Sequence, residues 1–147
     1  MSVSAKEIAK VLGGRRVLGR TVRNMRELDD IVREGIPKSA LDTFIRFLTA
    51  PSRGTDLTAQ LRNKIVPRAT YQRVDRLNLQ VGETTERLAR LYALALSTFK
   101  DRTAATRFLM NPHPELENRA PFDVALTEIG GREVEEVIER GLHGLPA

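Results

Sequence analysis

The chain has 147 residues, a formal net charge of +5, 29% charged and 5% aromatic residues, and no cysteine. That length suits one ordinary domain or two small ones sharing a core, and a chain of this size buries roughly 70% of its unfolded surface without staples. The lack of cysteine excludes disulfides, thiolate metal sites and a cysteine nucleophile, and there is no apolar run long enough to span a membrane.

The charge is divided along the chain. Residues 1–80 carry 16 Lys/Arg against 8 Asp/Glu, and residues 81–147 carry 8 against 11. This split fits a polyanionic partner for the front half and a different partner for the back half. It also arises from two differently decorated solvent faces. His113 and His143 are the two histidines and both stand in turn-like contexts, so a zinc site would need carboxylate partners that no spacing reveals. No metal and no cofactor is expected. The opening MSVSAKEIAK lacks the apolar stretch of a secretory signal, so a cytoplasmic location is expected.

Alternating β-branched runs and Asn-Gly turns are absent and helix punctuation is abundant, which predicts an all-α fold. Ser4 and Glu7 form a capping box for a short helix with Ile8, Val11 and Leu12 inside, ended by Gly13-Gly14. Arg15, Arg16, Arg20 and Arg23 follow without periodicity. Asn24 caps a helix through Leu28, Ile31 and Val32 that stops at Gly35. Pro37 starts the next, whose buried face is Ala40/Leu41, Phe44/Ile45 and Leu48, and Pro51-Ser52-Arg53-Gly54 breaks it.

Residues 55–77 read as two short helices joined by a tight turn at Asn63–Val66. The first runs from about Asp56 to Arg62, and Pro67 opens the second, with Val66, Thr70, Val74 and Leu77 inward. Arg68, Gln72 and Arg76 fall at i, i+4 and i+8 on one exposed stripe, flanked by Lys64 and Arg73. Two helices with a basic second member fit a helix-turn-helix, whose second helix enters the major groove and pairs Arg and Gln with base edges. The candidate DNA contacts are Lys64, Arg68, Thr70, Gln72, Arg73 and Arg76. A basic amphipathic helix is also common as a plain solvated face, and the turn lacks the glycine usual in such motifs.

Val81-Gly82-Glu83 separates this unit from a long helix starting near Thr84 or Thr85, with Leu88, Leu91/Tyr92, Ala95/Leu96 and Phe99 as a core or dimer-interface stripe and a Glu86–Arg90 pair opposite it. Asp101 caps a helix with Ala105, Phe108 and Leu109 inside. An Asn111-Pro112-His113-Pro114 turn follows. Pro121 opens a short helix through Phe122, Val124, Ala125 and Leu126, and Gly130-Gly131 reads as a stop. The last helix, Arg132 to Arg140, buries Val134, Val137 and Ile138, exposes glutamates and carries a Glu136–Arg140 pair. Gly141 ends it before an apolar tail. Residues 107–132 thus form a scaffold that aims the final helix and tail outward.

The order IVPRATYQR (65–73), ERLARLYALALSTF (86–99) and FLMNPHPELENRAPFDVALTEIGGREVEEVIERGLHGLPA (108–147) resembles the Xre/MbcA/ParS antitoxins of bacterial RES–Xre toxin–antitoxin pairs. The matching positions are Phe108-Leu109, Asn111-Pro112, Pro121-Phe122-Asp123, Gly130, Val134 and Gly144. Phe108 stands where many members carry Trp, and Val74 where a second Arg often follows the first. The resemblance implies an all-α chain with an N-terminal Xre-like helix-turn-helix domain (residues 1–82), joined by a long helix to a small C-terminal toxin-binding domain (residues 83–147). It implies a RES-domain toxin that consumes NAD or uses it for ADP-ribosylation, with the antitoxin covering its NAD site. Homodimerisation and autorepression on operator DNA are implied as well. On this reading the toxin contacts are Arg132, Glu136, Glu139, Arg140, Leu142, His143 and Leu145. The alternative is a dimeric helix-turn-helix regulator without a toxin partner. An enzyme is disfavoured, because there is no cysteine, the histidines are isolated, and no glycine-rich phosphate loop follows a strand.

Overall fold

The computed structural model describes residues 3–50 and 55–142. Among these residues it forms ten α-helices, one 3₁₀ turn and no β-strand. The helices are α1 (Ala5–Val11), α2 (Gly14–Leu18), α3 (Met25–Glu34), α4 (Lys38–Thr49), α5 (Thr55–Ile65), α6 (Arg68–Arg73), α7 (Leu79–Phe99), α8 (Arg102–Met110), α9 (Pro121–Val124) and α10 (Glu128–Leu142), with the 3₁₀ turn at Pro114–Leu116. The expected breaker at residues 51–54 and the tail at residues 143–147 lie outside the described residues. Two compact units result: Ser4–Glu86, and a second that starts at Arg87.

In the first unit the helix starts follow the capping rules. Ser4 Oγ accepts from the Glu7 amide while the Glu7 carboxylate accepts from the Ser4 amide. Asn24 Oδ1 accepts from the Glu27 amide at 2.9 Å. Gly13, in a left-handed conformation at φ +105°, ends α1. Of the arginine-rich stretch that lacks periodicity, Arg15 and Arg16 fold into α2, a five-residue helix with Leu18 buried, and Arg20 and Arg23 follow it. Ile8, Leu12, Leu28, Ile31, Leu41, Phe44, Ile45 and Leu48 make the core. Each such side chain contributes about 1.5–3 kcal/mol of transfer free energy.

A short bridge fastens the α6–α7 connector to the α3–α4 connector. The Leu77 amide donates to the Ile36 carbonyl at 2.8 Å, the Lys38 amide to Asp75 at 3.0 Å, and Arg76 Nη1 to the Gly35 carbonyl at 2.9 Å. The long helix does not wait until Thr84. Asn78 Oδ1 accepts from the Val81 amide at 2.9 Å and caps α7 at Leu79. Gly82 therefore lies inside the helix, against Val32 and Ile36.

In the second unit Asp101 caps α8 by accepting from the Thr103 and Ala104 amides. Leu88, Leu91, Tyr92, Ala95, Leu109, Leu116, Phe122, Ala125, Val134, Val137 and Ile138 form its core. α9 is shorter than expected, ending at Val124, after which residues 125–127 turn the chain into α10. Gly130-Gly131 is not a stop, and α10 runs unbroken from Glu128 through Gly141 to Leu142.

Candidate functional site

Close approach accounts for the glycine pair better than termination does. Thr127 Oγ1 accepts from the Gly130 amide at 3.0 Å and caps α10. A Cβ on Gly130 would overlap the Val124 carbonyl oxygen and lie 2.8 Å from its carbon. A Cβ on Gly131 would stand 2.6 Å from Arg87 Cδ. The two glycines thus let α10 start directly against the end of α9 and admit the Arg87 side chain beside it.

Arg87 has a side chain only 11% exposed. Its Nη1 donates to the Ala125 carbonyl at 3.0 Å and its Nε to Glu128 at 3.3 Å, joining α7 to the α9–α10 corner. The other end of α10 is held by Arg140, whose Nη2 lies 2.8 Å from Glu115 on the 3₁₀ turn. That turn is capped in its own right. His113 is buried, and its Nδ1 accepts from the Glu115 amide at 3.1 Å, which leaves the ring proton on Nε2. Phe108 meets His113 edge-on at 5.7 Å and Phe99 at 5.5 Å. α10 is therefore fixed at both ends over a seam of Val134, Val137 and Ile138. It turns Ile129, Arg132, Glu133 and Glu136 to solvent.

Of the residues assigned to toxin contact, Arg132 and Glu136 are exposed on this face, and Arg132 also reaches Glu128 at 3.6 Å. Glu139 and Arg140 are half-buried. Arg140, expected to pair with Glu136, is held by Glu115. Leu142 is the last helical residue, its side chain outside the described set, and His143 and Leu145 lie outside the described residues altogether. Sequence reasoning missed Ile129, which is 80% exposed, as well as Arg87 and Glu115. The signal for Ile129 was its register: five, eight and nine residues before the buried seam, it falls off the inner face once the helix starts at Glu128.

In the other unit α5 and α6 are joined by Val66-Pro67 alone, so α5 runs three residues past the expected end at Arg62. α6 is held by Tyr71. Its hydroxyl donates to Asp42 at 2.5 Å, and its ring lies under Arg62 at 4.4 Å and Lys38 at 4.7 Å. Burial and the Asp42 hydrogen bond raise the Tyr71 pKa above its usual value. Arg68 and Gln72 are exposed and line a groove of about 270 Å³ with Ala59, Arg62, Asn63 and Tyr71. Lys64 is exposed on the last turn of α5, and Thr70 is half-buried. Arg73 is exposed, with its Nε donating to Ala69 in its own helix. Arg76 does not continue the Arg68–Gln72 stripe. α6 ends at Arg73, Val74 is extended, and the Arg76 guanidinium is engaged by Gly35.

Among the described residues no cluster of ligating side chains suits a metal ion, and no helix is long and apolar enough to cross a membrane. What the second unit presents is a pinned helix with an outward, largely acidic face, the geometry of a protein-docking module. Residues 94–144 match the family model of the antitoxin Xre/MbcA/ParS C-terminal toxin-binding domain. No curated protein matches the chain.

Proposed function

We propose that this chain is the antitoxin of a RES-type pair: it binds a RES-domain, NAD-consuming toxin in the cytoplasm and silences it by covering the active site. The observation that carries this reading is the toxin-binding-domain match over residues 94–144, which contains all of α8, α9 and α10. Occlusion needs no chemistry from the antitoxin, only a surface held in a fixed orientation, so that little ordering entropy is lost on binding. The two-ended anchoring of α10 by Arg87–Glu128 and Arg140–Glu115 supports that role. The test is co-expression with the toxin encoded beside this chain, for the full chain and for the exposed-face variant Arg132→Ala/Glu136→Ala, which leaves the core of α10 intact. Protection by the full chain and weaker protection by the folded variant is expected. Equal protection by both refutes occlusion through this face.

A second activity is favoured by the basic α5–α6 pair. Residues 1–82 form a DNA-binding domain that represses the chain's own operon as a homodimer, with Arg68, Gln72 and Arg73 toward the operator. Arg68 and Gln72 are exposed beside the α5–α6 groove, and Tyr71 braces the helix that carries them. Purified protein that fails to retard its own promoter in a gel-shift assay rules this out.

A further inference from the structure

We infer that Ile129 is the anchor of the toxin interface, and that the toxin receives it in an apolar hollow rimmed by Lys or Arg. This rests on the antitoxin reading above and names the chemistry of the partner at that site. Ile129 is the most exposed of the large apolar side chains among the described residues, at 80%. It does not stand on a mobile loop. It is in the first turn of α10, behind the Thr127 cap and ahead of the Gly130–Val124 close approach, where the backbone is fixed on two sides. A large apolar group held rigidly in water loses little entropy on docking and gains the full transfer term, which is the character of an interface hot spot.

Its surroundings specify the partner. Ile129, Arg132, Glu133 and Glu136 stand at i, i+3, i+4 and i+7 on one helix face, and all four are exposed. Arg132 is within 3.6 Å of Glu128, which also accepts from Arg87, so two cations share one carboxylate there. With Glu133 and Glu136 exposed on the same face, three carboxylates stand against two cations, and this net negative charge favours cations across the interface. The residue lies inside the matched toxin-binding segment, which favours a toxin over a second copy of this chain as the occupant.

The experiment measures binding of the purified full chain to the toxin encoded beside it by calorimetry, for wild type, Ile129→Asp and the double variant Glu133→Gln/Glu136→Gln. Because Ile129 is exposed, Ile129→Asp is expected to keep the wild-type melting temperature. Its affinity should fall about 30-fold, the equivalent of ~2 kcal/mol for one buried isoleucine. The double variant should bind with a weaker dependence on salt. Wild-type affinity in Ile129→Asp overturns the anchor while leaving the antitoxin reading intact. A wild-type chain that binds no toxin overturns both. Self-association of the wild type that Ile129→Asp abolishes, with toxin binding unchanged, assigns the patch to a second copy and overturns the inference.

Discussion

Replacing Gly130 by alanine separates helix propensity from close packing. In an exposed helix interior this change stabilises by about 1 kcal/mol. Here the new methyl group overlaps the Val124 carbonyl oxygen and lies 2.8 Å from its carbon and 2.9 Å from Thr127 Oγ1. Ordinary carbon contacts fall near 3.5–4.0 Å. The obstacle is backbone, so α9 and α10 must part by more than an ångström, an overpacking cost at the upper end of the usual range, about 2–3 kcal/mol. The net effect is a loss of about 1–2 kcal/mol, or a fall in Tm of roughly 2–8 °C for a chain of this size, read by circular dichroism. Gly141→Ala is the internal control. Its Cβ would meet Phe99 at 3.5 Å, an ordinary contact, so that variant should be neutral or slightly stabilised. A Tm for Gly130→Ala equal to or above wild type refutes the close-approach account of the glycine pair.

Arg87→Ala should lower stability by roughly 1–3 kcal/mol in urea titration, because it strands the Ala125 carbonyl; Glu128 is more than half exposed, so its loss as an ion-pair partner adds little. Tyr71→Phe tests the clamp on α6. The folded-state pKa of Tyr71 is raised above its usual value of about 10, so its contribution to stability is complete below that pH and is lost as pH rises through the raised folded value. The wild type should therefore lose stability above about pH 10 relative to Tyr71→Phe, and parallel stability–pH curves would contradict this. Arg68→Ala and Arg73→Ala should each weaken promoter binding and reduce the slope of log affinity against log salt by about one, measured by fluorescence anisotropy. An unchanged slope in both removes α6 from the DNA interface.

The features legible in the sequence were those whose causes are local. Ser4 with Glu7, Asn24 and Asp101 are caps whose partners lie within three residues, and all three form. The apolar stripe of α4 is buried as its spacing predicts, and that of α7 is buried from Leu88 to Ala95, with Leu96 and Phe99 half-buried. The features that escaped depend on distant neighbours. A glycine pair followed by charged residues reads as a helix end, yet Gly130 and Gly131 are small because Val124 and Arg87 crowd them from other elements. Gly82 misleads in the same way, since its packing partners Val32 and Ile36 are some fifty residues away. The helical register of Arg68 and Gln72 could not be extended to Arg76, because the bridge to Gly35 and Ile36 captures the chain after Val74. Tyr71 gave no local signal at all. Its importance comes from Asp42, Lys38 and Arg62, which belong to two other helices. At the candidate docking site, starting the last helix at Arg132 concealed Ile129 and left the Glu115–Arg140 tie unseen.

The central claim is neutralisation by stoichiometric cover of a toxin's active site. Its most direct test is the rate of NAD loss catalysed by the purified toxin encoded beside this chain, followed while the full chain is titrated in. The rate should fall in proportion to added chain and vanish at the stoichiometric point, and excess NAD should slow the onset of inhibition because cover and substrate exclude each other. A rate that stays constant through molar excess of folded chain contradicts the account.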